Sequence, residues 1–204
     1  MLLKGHVEAP LRTRLLDAVR RALTEAPFFT PRMPRWGTPF SVRMTNFGPL
    51  GWVSDKSGYR YQAVHPQTGQ PWPPMPPELL ALWDEVTGYP HPPEAALVNF
   101  YGPRARMVLH VDADEKDPDA PILSLSFGCE AVFRIGGRRR DDPTVSFRLQ
   151  DGDVLVMGGE SRHCYHGVDR IFPGTGELPR ALGEGRINIT LRRVTLPGRV
   201  PPVR

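Results

Sequence analysis

The chain has 204 residues, 40% hydrophobic and 24% charged, the balance of an ordinary soluble domain with a real core. No apolar run nears the ~20 residues that span a bilayer, the opening MLLKGHVEAP lacks a signal-peptide core, and two cysteines, Cys129 and Cys164, make no disulfide framework. A net charge of +4 permits a phosphate-bearing partner; the expectation is a cytoplasmic monomer, one domain over 1–204, with no membrane contact.

Pro and Gly, 24 and 20 residues, argue for many turns and little helix. In chain order, residues 11–25 (LRTRLLDAVRRALTE) set Leu11, Leu15, Val19, Ala22 and Leu23 on a helical period with arginines opposite. Residues 27–50 read as loop with short strands. PWPPMPP (71–77) excludes regular structure and leads into ELLALWDEVTG, a second helix with a proline entry and a Gly88 exit.

From residue 95 the pattern becomes short, turn-bounded strands: AALVNFY, ARMVLHVD, PILSLSFG, EAVFRIGG, TVSFRL, DVLVMGG and RINITLRRV. Ile122, Ser124 and Ser126 alternate with Leu123, Leu125 and Phe127. Seven or eight such strands predict a sandwich or barrel. The fold class is α+β, mainly β, with helices packed on one side of an antiparallel double sheet. The tail TLPGRVPPVR (195–204) has no pattern and is expected to fray. RIGGRRRDD clusters Arg134, Arg138, Arg139 and Arg140 after a Gly-Gly turn, either as a solvated hairpin tip or as a phosphate contact.

The chemistry concentrates in MVLHVDADEKD (107–117). His110, Asp112 and Asp114 share one parity, so on an extended chain they project together. Two carboxylates side by side need a counter-charge: a metal ion, a cationic ligand or solvent. His110 and Asp112 supply two members of a two-histidine, one-carboxylate iron(II) triad. SRHCYHGV offers His163 or His166 as the third. RINITLRR places Arg186, Asn188, Thr190 and Arg192 opposite Ile187, Ile189 and Leu191. That pattern suits a half-exposed edge strand, or a slot for a dicarboxylate held by guanidinium forks. Asn99 and Tyr101 add an amide and a phenol of one parity.

N-x-Y, then H-x-D-x-D nine positions on, then GGES…YHGV and R-x-N-x-T-x-R, together resemble the AlkB family of iron(II)/2-oxoglutarate dioxygenases. MTNFGPLGW and GYRY fit that family's nucleotide-recognition region, so the resemblance covers about residues 41–194. It implies a double-stranded β-helix (jelly roll) core over 95–194, a nucleotide-recognition lid over about 28–64 and a tail over 195–204. It further implies iron(II) held by His110, Asp112 and His166, the YHGV context selecting His166. 2-Oxoglutarate would be held by Asn99, Tyr101, Arg186, Asn188 and Arg192, which arginine takes which carboxylate being open. Trp52, Tyr59, Asp114, Arg140 and Met44 would contact substrate, Asp114 beside the exocyclic amine of the target base.

The implied activity is DNA repair: oxidative demethylation of N-methylated bases such as 1-methyladenine and 3-methylcytosine. It consumes dioxygen and 2-oxoglutarate and releases formaldehyde and succinate. The implied partner is alkylated DNA, single-stranded, with RNA as an alternative. Two rivals differ in substrate or class: the same chemistry on tRNA, a protein or a small molecule, and a metal-free β-domain that binds nucleic acid through its basic face.

Overall fold

Side-chain alternation sorts the strands into layers. In β7 (Ile122–Gly128) the odd-numbered Leu123, Leu125 and Phe127 face one way, and in β12 (Arg186–Arg192) so do Ile187, Ile189 and Leu191. All six are fully buried against α1 (Ala9–Glu25) and α2 (Pro77–Thr87), through Leu15, Leu16 and Val19 of the first and Leu79 and Trp83 of the second. Each such side chain contributes roughly 1.5–3 kcal/mol on burial. α2 starts on prolines and stops at Gly88, whose φ of 60° is left-handed, as its sequence predicts.

The structure, a computed structural model, describes residues 1–198. The remaining strands in chain order are β1 (Leu2–Leu3), β2 (Val42–Phe47), β3 (Gly51–Asp55), β4 (Gly58–Gln62), β5 (Ala95–Tyr101) and β6 (Met107–His110). They continue with β8 (Glu130–Ile135), β9 (Val145–Leu149), β10 (Val154–Met157) and β11 (His166–Phe172). A six-stranded sheet runs β1-β10-β7-β12-β5-β2, and a four-stranded sheet runs β6-β11-β8-β9. Every pairing is antiparallel. A β3–β4 hairpin stands apart. The two helices cover the outer face of the larger sheet, and the inner faces enclose a second apolar cluster that includes Leu97, Phe133, Leu149 and Val168. This is the jelly roll that the resemblance implies.

Several expectations are corrected. β12 is not a half-exposed edge strand: it lies between β5 and β7, and all seven of its residues are buried. Its polar side chains, Arg186, Asn188, Thr190 and Arg192, line the cavity between the sheets. β11 was not among the predicted strands; its charged centre, Asp169 and Arg170, disguises it. Within the lid expected over about 28–64, Val42–Phe47 pair along β5 as part of the larger sheet, and Met44 is 2% exposed. The tail does not begin at 195: Glu94 accepts from the backbone N–H of both Val194 and Thr195, and both residues are buried. Residues 199–204 of the predicted frayed tail lie outside the described residues.

Candidate active site

β6 ends at His110, so the shared parity of His110, Asp112 and Asp114 is not that of one continuous strand. The groups converge all the same. β11 pairs with β6 so that His166 sits opposite His110, their ring centroids 4.5 Å apart. Gly167 permits this approach: a Cβ there would lie 2.5 Å from the Met107 carbonyl oxygen. Asp112 follows the turn out of β6 and is buried. Its Oδ1 lies 3.7 Å from His110 Nε2 and its Oδ2 3.6 Å from His166 Nε2.

Two backbone carbonyls orient the imidazoles. His110 Nδ1 faces the Val108 oxygen at 2.9 Å, and His166 Nδ1 faces the Cys164 oxygen at 3.0 Å. A proton on each Nδ1 satisfies those carbonyls and leaves each Nε2 lone pair aimed at the common point. Burial lowers the His110 pKa from 6.5, so its imidazole stays neutral near pH 7. Burial works against the Asp112 carboxylate, but Arg192 and then the imidazoles outweigh it and hold the carboxyl well below the usual carboxylate range. Three ligand atoms, two nitrogens and one carboxylate oxygen, lie within 4.8 Å of one another. That donor set suits iron(II) and leaves coordination positions open. His163 lies in a short turn outside this cluster.

The triad opens into a cavity of about 430 Å³ between the sheets. Arg186, 1% exposed, donates from Nη2 to Ser126 Oγ at 2.9 Å, while its Nε and Nη1 have no partner. Its guanidinium lies 5.3 Å from the Tyr101 ring centroid. Asn99, opposite Asn188 across the β5–β12 pairing, has an unpartnered Oδ1. Unsatisfied buried polar atoms of this kind cost energy unless a ligand meets them. Asn188 also lines the cavity, but its amide is spent on Ser124 Oγ and the Leu125 carbonyl.

Arg192 is differently placed. Its Nη2 donates to Asp112 Oδ2 at 2.9 Å and its Nη1 to Glu115 Oε1 at 3.1 Å. The Glu115 side chain is fully buried and also meets Arg162 Nη2 at 3.1 Å; Arg162 Nη1 in turn donates to the Asp112 backbone oxygen at 2.8 Å. Tyr61, from the β3–β4 hairpin, donates to Glu115 and accepts from Arg192 at 3.1 Å. A buried chain of charges thus joins the hairpin to a triad member.

The substrate-facing residues predicted from sequence all line the cavity: Met44, Trp52, Tyr59, Asp114 and Arg140. Asn46 clamps the Trp52 backbone from both sides, accepting from its N–H at 3.1 Å and donating to its carbonyl at 3.3 Å. Trp52 Nε1 donates to Asp114 Oδ2 at 2.7 Å, and Tyr59 stacks on Trp52 with an interplanar angle of 18°. Of the arginine cluster only Arg140 reaches the cavity wall, donating to the Leu109 carbonyl at 2.8 Å. Arg134 pairs with Asp169 and Arg139 with Asp141.

The family model of the 2OG-Fe(II) oxygenase superfamily matches residues 2–192. The chain is 51% identical over 189 residues to an alpha-ketoglutarate-dependent dioxygenase AlkB homolog of Caulobacter vibrioides, a match covering 93% of this chain and 84% of that one. It is 40% identical over 184 residues to the alpha-ketoglutarate-dependent dioxygenase AlkB of Escherichia coli, covering 88% and 83%. The chain belongs to the AlkB family. Among solved structures, that of OsALKBH1 superposes with a TM-score of 0.77 at 29% identity, covering 94% of this chain and 95% of that one.

As a member of the AlkB family the chain is an iron(II)/2-oxoglutarate-dependent dioxygenase, and the donor set and the unpartnered Nε and Nη1 of Arg186 fit both groups. Sequence reasoning missed Tyr61, Glu115 and Arg162. GYRY points to Tyr59 alone, and Glu115 is hidden in an acidic run that reads as solvated.

Proposed function

We propose that this AlkB-family oxygenase removes methyl groups from the ring nitrogens of bases in single-stranded nucleic acid, DNA first and RNA second. His110, Asp112 and His166 hold iron(II), and Arg186, with Tyr101 and Asn99 beside it, takes the far carboxylate of 2-oxoglutarate. Arg192 is not free for that task. Six residues along a strand separate the two arginines by about 20 Å, and Arg192 is already paired with Asp112 and Glu115. It positions the ligand carboxylate instead.

With 2-oxoglutarate and dioxygen, bound iron(II) supplies the oxidising chemistry that converts an N–CH₃ group to N–CH₂OH, with release of succinate and carbon dioxide. The N–CH₂OH product then loses formaldehyde and restores the base. The chain's own residues position and shield. Asp114 and Trp52 receive the base. 1-Methyladenine and 3-methylcytosine are cations at neutral pH, and their parent bases are not. A carboxylate and an indole face favour the cation, the indole by ~0.5–2 kcal/mol. A methylated base pairs poorly, so extruding it costs less than extruding an intact one. Arg140 at the rim faces phosphate.

The observation that carries this reading is the Trp52–Asp114 pair on the wall of the same cavity as the triad. We place the enzyme in the cytosol as a monomer, where Cys129 and Cys164 stay free thiols. The test is incubation with iron(II), 2-oxoglutarate, ascorbate and oligonucleotides bearing single methylated bases. Mass spectrometry should show loss of one methyl group, and 2-oxoglutarate consumption with every oligonucleotide unchanged would contradict the reading.

A further inference from the structure

Trp36 is 69% exposed, more than any other large hydrophobic side chain among the described residues. It does not hang on a loose loop. Met33 and Gly37 close the turn by N–H bonds to Thr38 O at 2.9 Å and Met33 O at 2.8 Å, and Gly37 takes a left-handed φ of 64°. The base of the turn is fastened to β3: Arg32 N–H donates to the Ser54 carbonyl at 3.0 Å, and Ser54 Oγ donates to the Arg32 carbonyl at 2.6 Å. Pro31, Pro34 and Pro39 stiffen what is left. An indole held in water by a preorganised turn loses little entropy when something stacks on it.

The position and charge of the turn say what that is. Met33, in the same turn, lines the cavity beside Tyr59, and the Tyr59 hydroxyl donates to its sulfur at 3.8 Å. The turn therefore stands at the cavity mouth. The Arg35 guanidinium lies 4.9 Å from the Trp36 ring centroid. From residue 26 to residue 54 the chain carries Arg32, Arg35 and Arg43 and no acidic residue. A flat apolar ring with a cation over one face, in a stretch free of carboxylates, suits one nucleotide: a base stacked on the opposite face of the ring and a phosphate for the cation.

We propose that Trp36 and Arg35 form a platform for the nucleotide adjacent to the extruded base, the indole stacking on the flanking base and Arg35 meeting its phosphate. The platform rests on the demethylase reading above and adds to it a second subsite, one that a lone nucleotide cannot reach.

The test compares two substrates carrying the same lesion, a methylated mononucleotide and a single-stranded pentanucleotide methylated at its centre, on wild type, Trp36→Ala and Trp36→Phe. Trp36→Ala should raise KM for the pentanucleotide about tenfold, the range of one lost base stack, with kcat unchanged. The mononucleotide should be processed within about twofold of wild type, and Trp36→Phe should recover most of the loss. In parallel, an unmodified pentanucleotide should quench tryptophan emission of the anaerobic enzyme, and Trp36→Ala should remove that component. Equal effects on both substrates, or none on either, overturn the platform and leave demethylation standing. Quenching that depends on Trp36 in an enzyme that demethylates neither substrate supports the platform and overturns the demethylase reading. No binding of any oligonucleotide overturns both.

Discussion

Trp52 Nε1 donates to Asp114 Oδ2 at 2.7 Å, so one hydrogen bond fixes both groups proposed above to meet the target base. The bond leaves the second carboxylate oxygen of Asp114 free and enriches the indole in electron density, and both effects favour a cation. Asp114→Asn should therefore lower kcat/KM for 1-methyladenine about tenfold, near 1.4 kcal/mol. A neutral lesion such as 1-methylguanine should move by less than about twofold. Competition between the two in one reaction measures the ratio directly; an unchanged ratio would remove Asp114 from recognition.

Arg186 and Arg192 share a strand face and make different contacts, which the proposed function reads as different tasks. Arg186→Met should raise KM for 2-oxoglutarate by about 100-fold or more, the loss of a charged pair of hydrogen bonds, and leave metal affinity within about twofold. Arg192→Met should do the reverse, weakening metal binding because Asp112 loses its orienting partner. Calorimetric titration of each variant with cobalt(II) and then 2-oxoglutarate separates the two.

The Tyr61–Glu115–Arg162 chain predicts a graded loss of stability. Tyr61→Phe removes one hydroxyl and leaves both ion pairs, a cost of about 1–2 kcal/mol in urea unfolding. Glu115→Gln leaves Arg162 without its buried carboxylate and Arg192 with Asp112 alone, a cost of roughly 3–5 kcal/mol. Equal, small effects would mean that the hairpin is not anchored through this chain.

Burial lowers the His110 pKa from 6.5, which gives its protonation a sign with pH. An imidazole that stays neutral below its usual pKa keeps its lone pair, so the His110 ring, followed by NMR in the metal-free protein, should take up its proton only as pH falls below 6.5. The metal-free protein should lose stability over the same descent, because the unfolded chain takes up the proton first. A His110 ring already half-protonated at pH 6.5 would place it in an unperturbed setting.

Much of this was legible as pattern. The alternation of Arg186, Asn188, Thr190 and Arg192 with aliphatics marks a strand with one polar face, and motif order points to the triad. Whether that polar face met water was not legible, since an edge strand and a central one facing a cavity alternate alike. Burial on both sides is a property of β5 and β7, not of RINITLR. Glu115 was invisible for a related reason: its value lies in two arginines, 47 and 77 positions away. β11 escaped because Asp169 and Arg170 interrupt its apolar run at a bulge, which only the pairing with β8 reveals.

The most direct measurement is anaerobic calorimetric titration of wild type and His166→Ala with iron(II) in the presence of 2-oxoglutarate. Wild type should take up one equivalent, and the variant, missing the imidazole Nε2 that converges with His110 Nε2 and the Asp112 carboxylate, should bind at least about 100-fold more weakly. One tight equivalent retained by His166→Ala would mean that the ion sits elsewhere.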